Sequence, residues 1–261
     1  MKRKDIIKSI FFIIFIILCL LTINKLMQPS KAMVIVEPRA HALLKGVIEN
    51  FDKNMDKSWD MYVFHGKSQE AFAKEATSSV SGRRVYLLPL DTDNLTADGY
   101  NSLFKKPSFW NKVHAEHILV FQTDTVLCGK SMNKINDFLK YPYIGCPFDD
   151  KKVGAHPVWG GYPFYGIGGL SFRKKSFMMN CIKRYPNVED NYAEDVFFSK
   201  CVKDEGNVEN ITVDVLNNFC TQHIYAKDSF GAHKVNVDLK NKIEKKEFYS
   251  FCPEATLLET A

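Results

Sequence analysis

The sequence predicts a single α/β domain whose sheet is mostly parallel and flanked by helices, set behind an apolar N-terminal helix. Two observations carry the domain. Short apolar runs of strand length, "MVIVE", "WDMYVFH", "RRVYLLPL" and "HILVFQ", recur through residues 33–122. Helix-patterned stretches separate them, and strands that alternate with helices join by crossovers into a parallel sheet. A third observation sets the preceding segment apart: "SIFFIIFIILCLLTIN" is sixteen residues without a charge, between Lys8 and Lys25.

At about 1.5 Å per residue that run spans roughly 24 Å, and the flanking lysines can snorkel to the surfaces of a ~30 Å hydrocarbon core. Lys2, Arg3, Lys4 and Lys8 precede it, so the positive-inside bias predicts a cytoplasmic N-terminus and a translocated remainder. The expected organisation is a cytoplasmic tail over 1–8, a signal-anchor transmembrane helix over 9–27, a short stem over 28–32, a domain over 33–250 and a C-terminal tail over 251–261. This describes a single-pass type II membrane protein with its domain in a luminal, ER- or Golgi-type compartment. A cleaved signal peptide and a buried helix are the other readings. "SKA" at 30–32 supplies a small-x-small site, though far beyond the apolar run.

Within the domain, "MVIVEPR" reads as a strand ended by Pro38. "HALLKGVIENFDKN" places Leu43, Leu44, Val47, Ile48 and Phe51 at helical spacing, and "SQEAFAKEA" is a shorter helix with Ser68 as its N-cap. A polar and aromatic helical stretch, "ADGYNSLFKKPSFWNKVHA", leads into the fourth strand. "GIGGLSFRKKSF" reads as a strand running into a helix, and "NYAEDVFFSKCVKDEG" as a helix with Val196, Phe197, Cys201 and Val202 on its apolar face. The late "DLKNKIEKKEF" alternates in sign, as a solvated helix does.

Composition limits the functional classes. Hydrophobic residues at 46% and charged residues at 25% are ordinary for a globular domain with a core. The net charge of +5 resides within residues 1–31, where six basic side chains face Asp5 alone. The rest is neutral overall, and a nucleic-acid partner loses its electrostatic footprint. Of seven cysteines, Cys19 lies in the apolar run. Cys128, Cys146, Cys181, Cys201, Cys220 and Cys252 show no CxxC spacing, so neither a zinc ribbon nor a thioredoxin motif is supported. Disulfides and small core residues both remain open for them.

Four features carry candidate chemistry. Asp124 stands between Thr123 and Thr125, just past the carboxyl end of the fourth strand, where an open α/β sheet collects ligands. It is a metal or phosphate ligand, or a turn aspartate bonded to its own backbone. Gly168 and Gly169 admit a close ligand or mark a bend, and their spacing fits neither a dinucleotide nor a P-loop fingerprint. Glu194 and Asp195 open a helix, where the macrodipole favours acids and would also keep a general base ionised. His233 is an ordinary core or surface histidine, or a metal partner for Asp124.

Taken together, "ILVFQTDTVLC", "GIGGLSFRKK" and "AEDVFFS", with "YIGCPF" and the earlier "YNSLF…FW", resemble a poorly characterised family of glycosyltransferase-like domains. Its architecture is that of the GT-A nucleotide-sugar transferases, which is Rossmann-related, and the resemblance covers most of residues 33–235. It implies an enzyme that moves a sugar from a nucleotide-sugar donor to a hydroxyl of a glycan or protein acceptor. A divalent cation, Mn2+ or Mg2+, would bridge protein and donor diphosphate.

GT-A enzymes carry Asp-x-Asp after a core strand, and the corresponding triplet here is Gln122-Thr123-Asp124. Asp124 takes the place of the second acid, the metal ligand. Gln122 departs from the first and would bond the ribose or a metal-bound water. His233 matches a late histidine that many relatives add to the metal. Asp195, with Glu194 beside it, resembles the base that deprotonates the acceptor in inverting members. Gly168 and Gly169 resemble the loop lining the donor and acceptor pocket; by position alone, the strand ends at Val36, Glu37, Arg39 and His65 would face base and ribose, or are ordinary turn polar groups.

The chemistry agrees with this pattern, because a departing diphosphate gathers negative charge that a cation stabilises, while the acceptor hydroxyl needs a base on the opposite face. The main alternative is a membrane-anchored carbohydrate-binding or scaffold protein on a degenerate transferase fold. Gln122 favours it, whereas Asp124, Glu194, Asp195 and His233 favour catalysis. A metal-dependent phosphate-ester hydrolase would want more acids around the metal than the sequence offers.

Overall fold

A computed structural model of the chain describes residues 12–16, 30–148, 165–188, 192–205 and 211–260. Residues 1–30 form one unit and residues 31–261 another. In the first, residues 12–16 are helical, and the rest of the expected tail and anchor lies outside the described residues. Among the described residues no helix is long and apolar enough to cross a membrane.

In the second unit the first half alternates as expected. The strands and helices run β1 (Lys31–Glu37), α1 (Leu44–Asn54), β2 (Trp59–His65), α2 (Glu70–Ala76), β3 (Val85–Pro89), α3 (Ala97–Phe104), α4 (Pro107–Trp110), β4 (His117–Phe121) and β5 (Thr125–Leu127). The second half continues with α5 (Ile135–Phe138), β6 (Tyr143–Cys146), β7 (Ile167–Lys174), α6 (Lys175–Arg184), α7 (Glu194–Asp204), α8 (Val213–Phe219), β8 (Cys220–Thr221), β9 (Gly231–His233), α9 (Val235–Asp238) and α10 (Lys242–Phe251).

The main sheet has six strands in the order β3-β2-β1-β4-β7-β6. The first four are parallel; β7 runs antiparallel to β4 and β6 antiparallel to β7. Every residue of β4 is buried, and so is all of β1 after Lys31. Covered on both faces, these central strands are continuous apolar runs rather than alternating ones. A small second sheet, β5-β9-β8, stands beyond the end of β4.

Three local expectations change. The first strand begins at Lys31, so residues 31 and 32, expected in the stem, belong to the sheet. Helix α2 has Gln69 rather than Ser68 at its N-cap, because Asp93 Oδ1 accepts from the Ser68 backbone N–H at 2.7 Å. The long stretch after Thr96 divides at Pro107, since proline disfavours helical backbone before it and starts a new helix well.

The C-terminal stretch is not a free tail. Pro253–Thr260 forms a 3-10 helix with Ala255 and Leu258 buried, and Cys252 is joined to Cys128. Disulfides Cys146–Cys220 and Cys181–Cys201 pin β6 to β8 and α6 to α7. These three bonds account for every cysteine outside the N-terminal apolar run. The Cys128–Cys252 and Cys146–Cys220 bonds close loops of 124 and 74 residues in sequence, the long-loop case in which a cross-link restricts the unfolded chain most. Replacing Cys146 and Cys220 together by serine is expected to lower unfolding free energy by about 2–4 kcal/mol in denaturant titration. An unchanged midpoint and slope would show that this bond does not form.

Candidate functional site

Asp124 owes its position to a tight turn between β4 and β5. The Gln122 carbonyl accepts from Thr125 N at 3.2 Å and from Thr125 Oγ1 at 2.7 Å, reversing the chain with Asp124 at the bend. The antiparallel pairing of β5 with β9 sets Thr125 opposite His233, and Lys234 N donates to the Asp124 carbonyl at 2.9 Å. Asp124 Oδ1 and His233 Nε2 therefore face each other across 3.3 Å. Both atoms are buried, and neither has a hydrogen-bond partner among the described residues. His233, 2% exposed, is held at its other ring nitrogen, Nδ1, 2.9 Å from Gln222 Oε1.

This pair opens on a cavity of about 700 Å³ whose walls include Arg39, His41, Asp195, His223 and Lys234. Lys234 occupies the left-handed region at φ 49°, which a non-glycine residue enters only where its surroundings hold it. Its Nζ lies 3.7 Å from Asp124 Oδ2. Burial opposes ionisation of Asp124, but a positive charge at His233 Nε2, carried by the protonated ring, together with Lys234 outweighs it and holds the carboxyl below the usual range. A smaller cavity of about 190 Å³ shares Arg39, Thr123 and Asp124 and adds Glu37, Thr96, Tyr100 and Gln122. Two cationic side chains, Arg39 and Lys234, thus flank the acid at the sheet crevice, where a phosphate-bearing ligand would be neutralised.

The two acids at the start of α7 part company. Glu194, 3% exposed, is bound on both oxygens by Arg173, whose NH1 and NH2 donate at 2.6 and 2.9 Å. The guanidinium is fully buried, with Phe104, Tyr143 and Phe198 rings 5.0–5.6 Å away. Asp195 instead lines the large cavity. Its Oδ2 accepts from Gly168 N at 3.2 Å and Oδ1 from Val196 N at 2.8 Å. Burial, aided by the neighbouring Glu194 charge, pushes its carboxyl up to about 6. A carboxylate that titrates close to neutrality and faces a cavity is suited to general-base work.

The glycine pair serves these groups. A Cβ at Gly168 would stand 2.1 Å from Glu194 Oε1, and one at Gly169 would stand 2.4 Å from His233 Nε2. Both glycines are buried in β7, and their neighbour Ile167 lines the large cavity. Glu37 clamps Arg39 in a bidentate pair at 2.8 and 2.9 Å, orienting it between the two cavities. His65 departs from expectation. It is buried one strand further out, level with Glu37, with Nδ1 2.8 Å from the Gly66 carbonyl, and it lines neither cavity. Sequence reading missed His41, Gln222, His223, Lys234 and Asp238. Lys234 had a signal, a positive charge directly after His233; His41, Gln222 and His223 are brought in by loops and Asp238 by the one-turn helix α9, none long enough for periodicity to reveal.

Among the described residues no three His, Cys, Asp or Glu side chains converge as a metal cluster. Asp124 Oδ1 and His233 Nε2 nevertheless fit a divalent cation: one hard oxygen, one imidazole nitrogen, both buried and unsatisfied. Two ligands of one cation at about 2.1 Å each stand roughly 3 Å apart when adjacent, close to the separation seen. With two protein donors, most of the coordination shell would come from ligand and water.

No curated protein matches the chain in sequence. Its structure is similar to that of core-mannan synthase A from Aspergillus fumigatus in an Mn/GDP form, with TM-score 0.48 and 11% identity over 72% of this chain and 71% of that one. It is also similar to S. aureus TarS in complex with UDP-GlcNAc, with TM-score 0.47 and 11% identity over 66% of this chain and 53% of that one. The chain thus spans about half the length of the TarS chain. Residues 85–233, more than half of the sequence and including Asp124, Asp195 and His233, match the family described as "Protein of unknown function (DUF5672)", and the chain is a member of that family.

Proposed function

We propose that the domain is a metal-assisted glycosyltransferase of GT-A type that transfers a sugar from a nucleotide-sugar donor to a hydroxyl acceptor with inversion. The observation that carries this reading is the confrontation of Asp124 Oδ1 with His233 Nε2, both buried and without a hydrogen bond among the described residues, beside Arg39 and Lys234. Asp124 and His233 would hold Mn2+ or Mg2+, which supplies electrostatic stabilisation of a leaving diphosphate. Arg39, fixed by Glu37, and Lys234 bind phosphate oxygens. The small cavity bounded by Glu37, Thr96, Tyr100 and Gln122 takes the nucleoside. Asp195 accepts the proton from the acceptor hydroxyl as that oxygen attacks the anomeric carbon, and the Gly168 and Val196 N–H groups hold the carboxylate in place.

Gln122 supports a second reading, a catalytically degenerate carbohydrate-binding module, because the neutral amide replaces an acid that the motif resemblance expects. Turnover of a nucleotide-sugar panel with product stereochemistry separates the two.

Once a donor is known, single-turnover transfer tests Asp195. Asp195→Asn is expected to lose about 10²–10⁴ in rate while retaining donor binding. Wild-type rate should fall about tenfold per unit below pH about 6, as the base becomes protonated. Glu194→Gln should cost about 3–5 kcal/mol of stability, because it strands the buried Arg173 charge, and should lower the pH below which the rate falls, because it removes a charge that raises the Asp195 carboxyl. A near-normal rate for Asp195→Asn would remove the base assignment.

The location proposed is a luminal, oxidising compartment behind a single-pass type II anchor. Three disulfides in one domain support the compartment, and the lysine-flanked apolar run supports the anchor. Protease added to sealed microsomes should spare the domain until detergent is added. Digestion without detergent contradicts the orientation.

A further inference from the structure

Gln222 and Asp238 have no part in the chemistry above, yet they form a chain of contacts that ends on the metal-facing histidine. Strand β8 runs parallel to β9, with Cys220 beside Gly231 and Thr221 beside Ala232. The next step of that register brings Gln222 beside His233. Gln222, 3% exposed, spans two neighbours: its Nε2 donates to Asp238 Oδ2 at 2.9 Å, and its Oε1 lies 2.9 Å from His233 Nδ1. His223 Nε2 also stands 3.7 Å from Asp238 Oδ2.

The polarity of this chain is fixed from one end. A carboxylate only accepts, so Asp238 draws the NH2 side of the Gln222 amide towards itself. The amide carbonyl is then left facing His233, and because a carbonyl also only accepts, the imidazole Nδ1 carries the hydrogen. A neutral imidazole has one ring hydrogen. With that hydrogen on Nδ1, the Nε2 lone pair points across 3.3 Å at the Asp124 carboxylate. The opposite tautomer would set the Nδ1 lone pair against the Gln222 carbonyl at 2.9 Å. In the neutral ring one repulsive contact remains either way, and a cation between Nε2 and Oδ1 relieves it.

We propose that Gln222 and Asp238 are positioning residues that fix His233 in the Nδ1–H tautomer, leaving Nε2 as a ready ligand for the divalent cation shared with Asp124. The inference rests on the metal reading given under Proposed function. It assigns to a neutral amide, backed by a carboxylate, the orienting role that outer-shell acceptors take at other histidine metal sites. The Cys146–Cys220 bond supports the arrangement by tethering β8, two residues before Gln222.

The test is direct Mn2+ binding to the full-length chain, alone and with UDP or GDP, read from the electron paramagnetic resonance of free Mn2+. Thermal melting is followed in parallel. Gln222→Leu removes the acceptor and is expected to weaken Mn2+ binding by about 10–100-fold. Asp238→Asn unlocks the amide and should shift affinity in the same direction by less. In the double variant Q222E/D238N a carboxylate accepts from Nδ1–H and an amide donates to it, so affinity should return towards wild type. Should Gln222→Leu fail to fold, Asp238→Asn and the double variant carry the comparison.

Wild-type binding with equal affinity in all variants, and only a lower melting temperature, would show a structural role and overturn the proposal. A folded double variant that recovers no affinity would overturn it too. Wild-type protein that binds no Mn2+ under any of these conditions overturns the metal reading itself, and the positioning role with it.

Discussion

The buried pairing of Arg173 with Glu194 is the interaction on which the working end of this domain depends. A guanidinium without solvent exposure must have its donors met, and here Glu194, Ser171 Oγ and the Gly168 carbonyl accept from it while three aromatic rings cover it. The pair ties β7 to the first turn of α7. Gly168 has no side chain because Glu194 occupies that space. With Glu194 held, the next residue, Asp195, faces the cavity and receives the Gly168 N–H. One ion pair thus places the candidate base, and burial, with the Glu194 charge beside it, raises the Asp195 carboxyl towards neutrality.

The second constraint is the small β5-β9-β8 sheet. It gathers an acid from the centre of the chain and a histidine from its last third at one edge of the crevice. Disulfides hold it at both ends: Cys128 follows β5 and joins Cys252, and Cys220 opens β8 and joins Cys146. Gly169 gives His233 room against β7. Among the described residues Asp124 Oδ1 and His233 Nε2 make no hydrogen bond, and buried polar atoms in that condition are costly unless something binds them.

The alternating first half was legible because β1, β2 and β4 are buried on both faces and read as continuous apolar runs, while the partly buried β3 still shows an apolar run of strand length and the helices between them keep an apolar stripe. Asp124 was legible as the only acid at the end of β4. His233 and Asp195 were candidates by residue type and by resemblance, but no local signal distinguished Asp195 from Glu194. That difference arises from Arg173, a residue whose sequence context, "SFRKK", reads as an ordinary surface cluster. His65 misled because a strand end looks the same in the sequence whether or not it borders the crevice. Gln222 sits in a bend after β8 and Asp238 at the end of the four-residue helix α9, both too short to leave a periodic signal, and the disulfide pairing depends on sheet topology that cysteine spacing does not encode.

The central claim is that Asp124 and His233 share a divalent cation. Crystals grown with Mn2+ and a nucleoside diphosphate, measured at the manganese absorption edge, test it most directly. The account predicts one anomalous peak about 2.2 Å from both Asp124 Oδ1 and His233 Nε2, with diphosphate oxygens completing the shell on the side of Arg39 and Lys234. Bound nucleotide with no anomalous peak between those two atoms, or a peak elsewhere in the crevice, would contradict it.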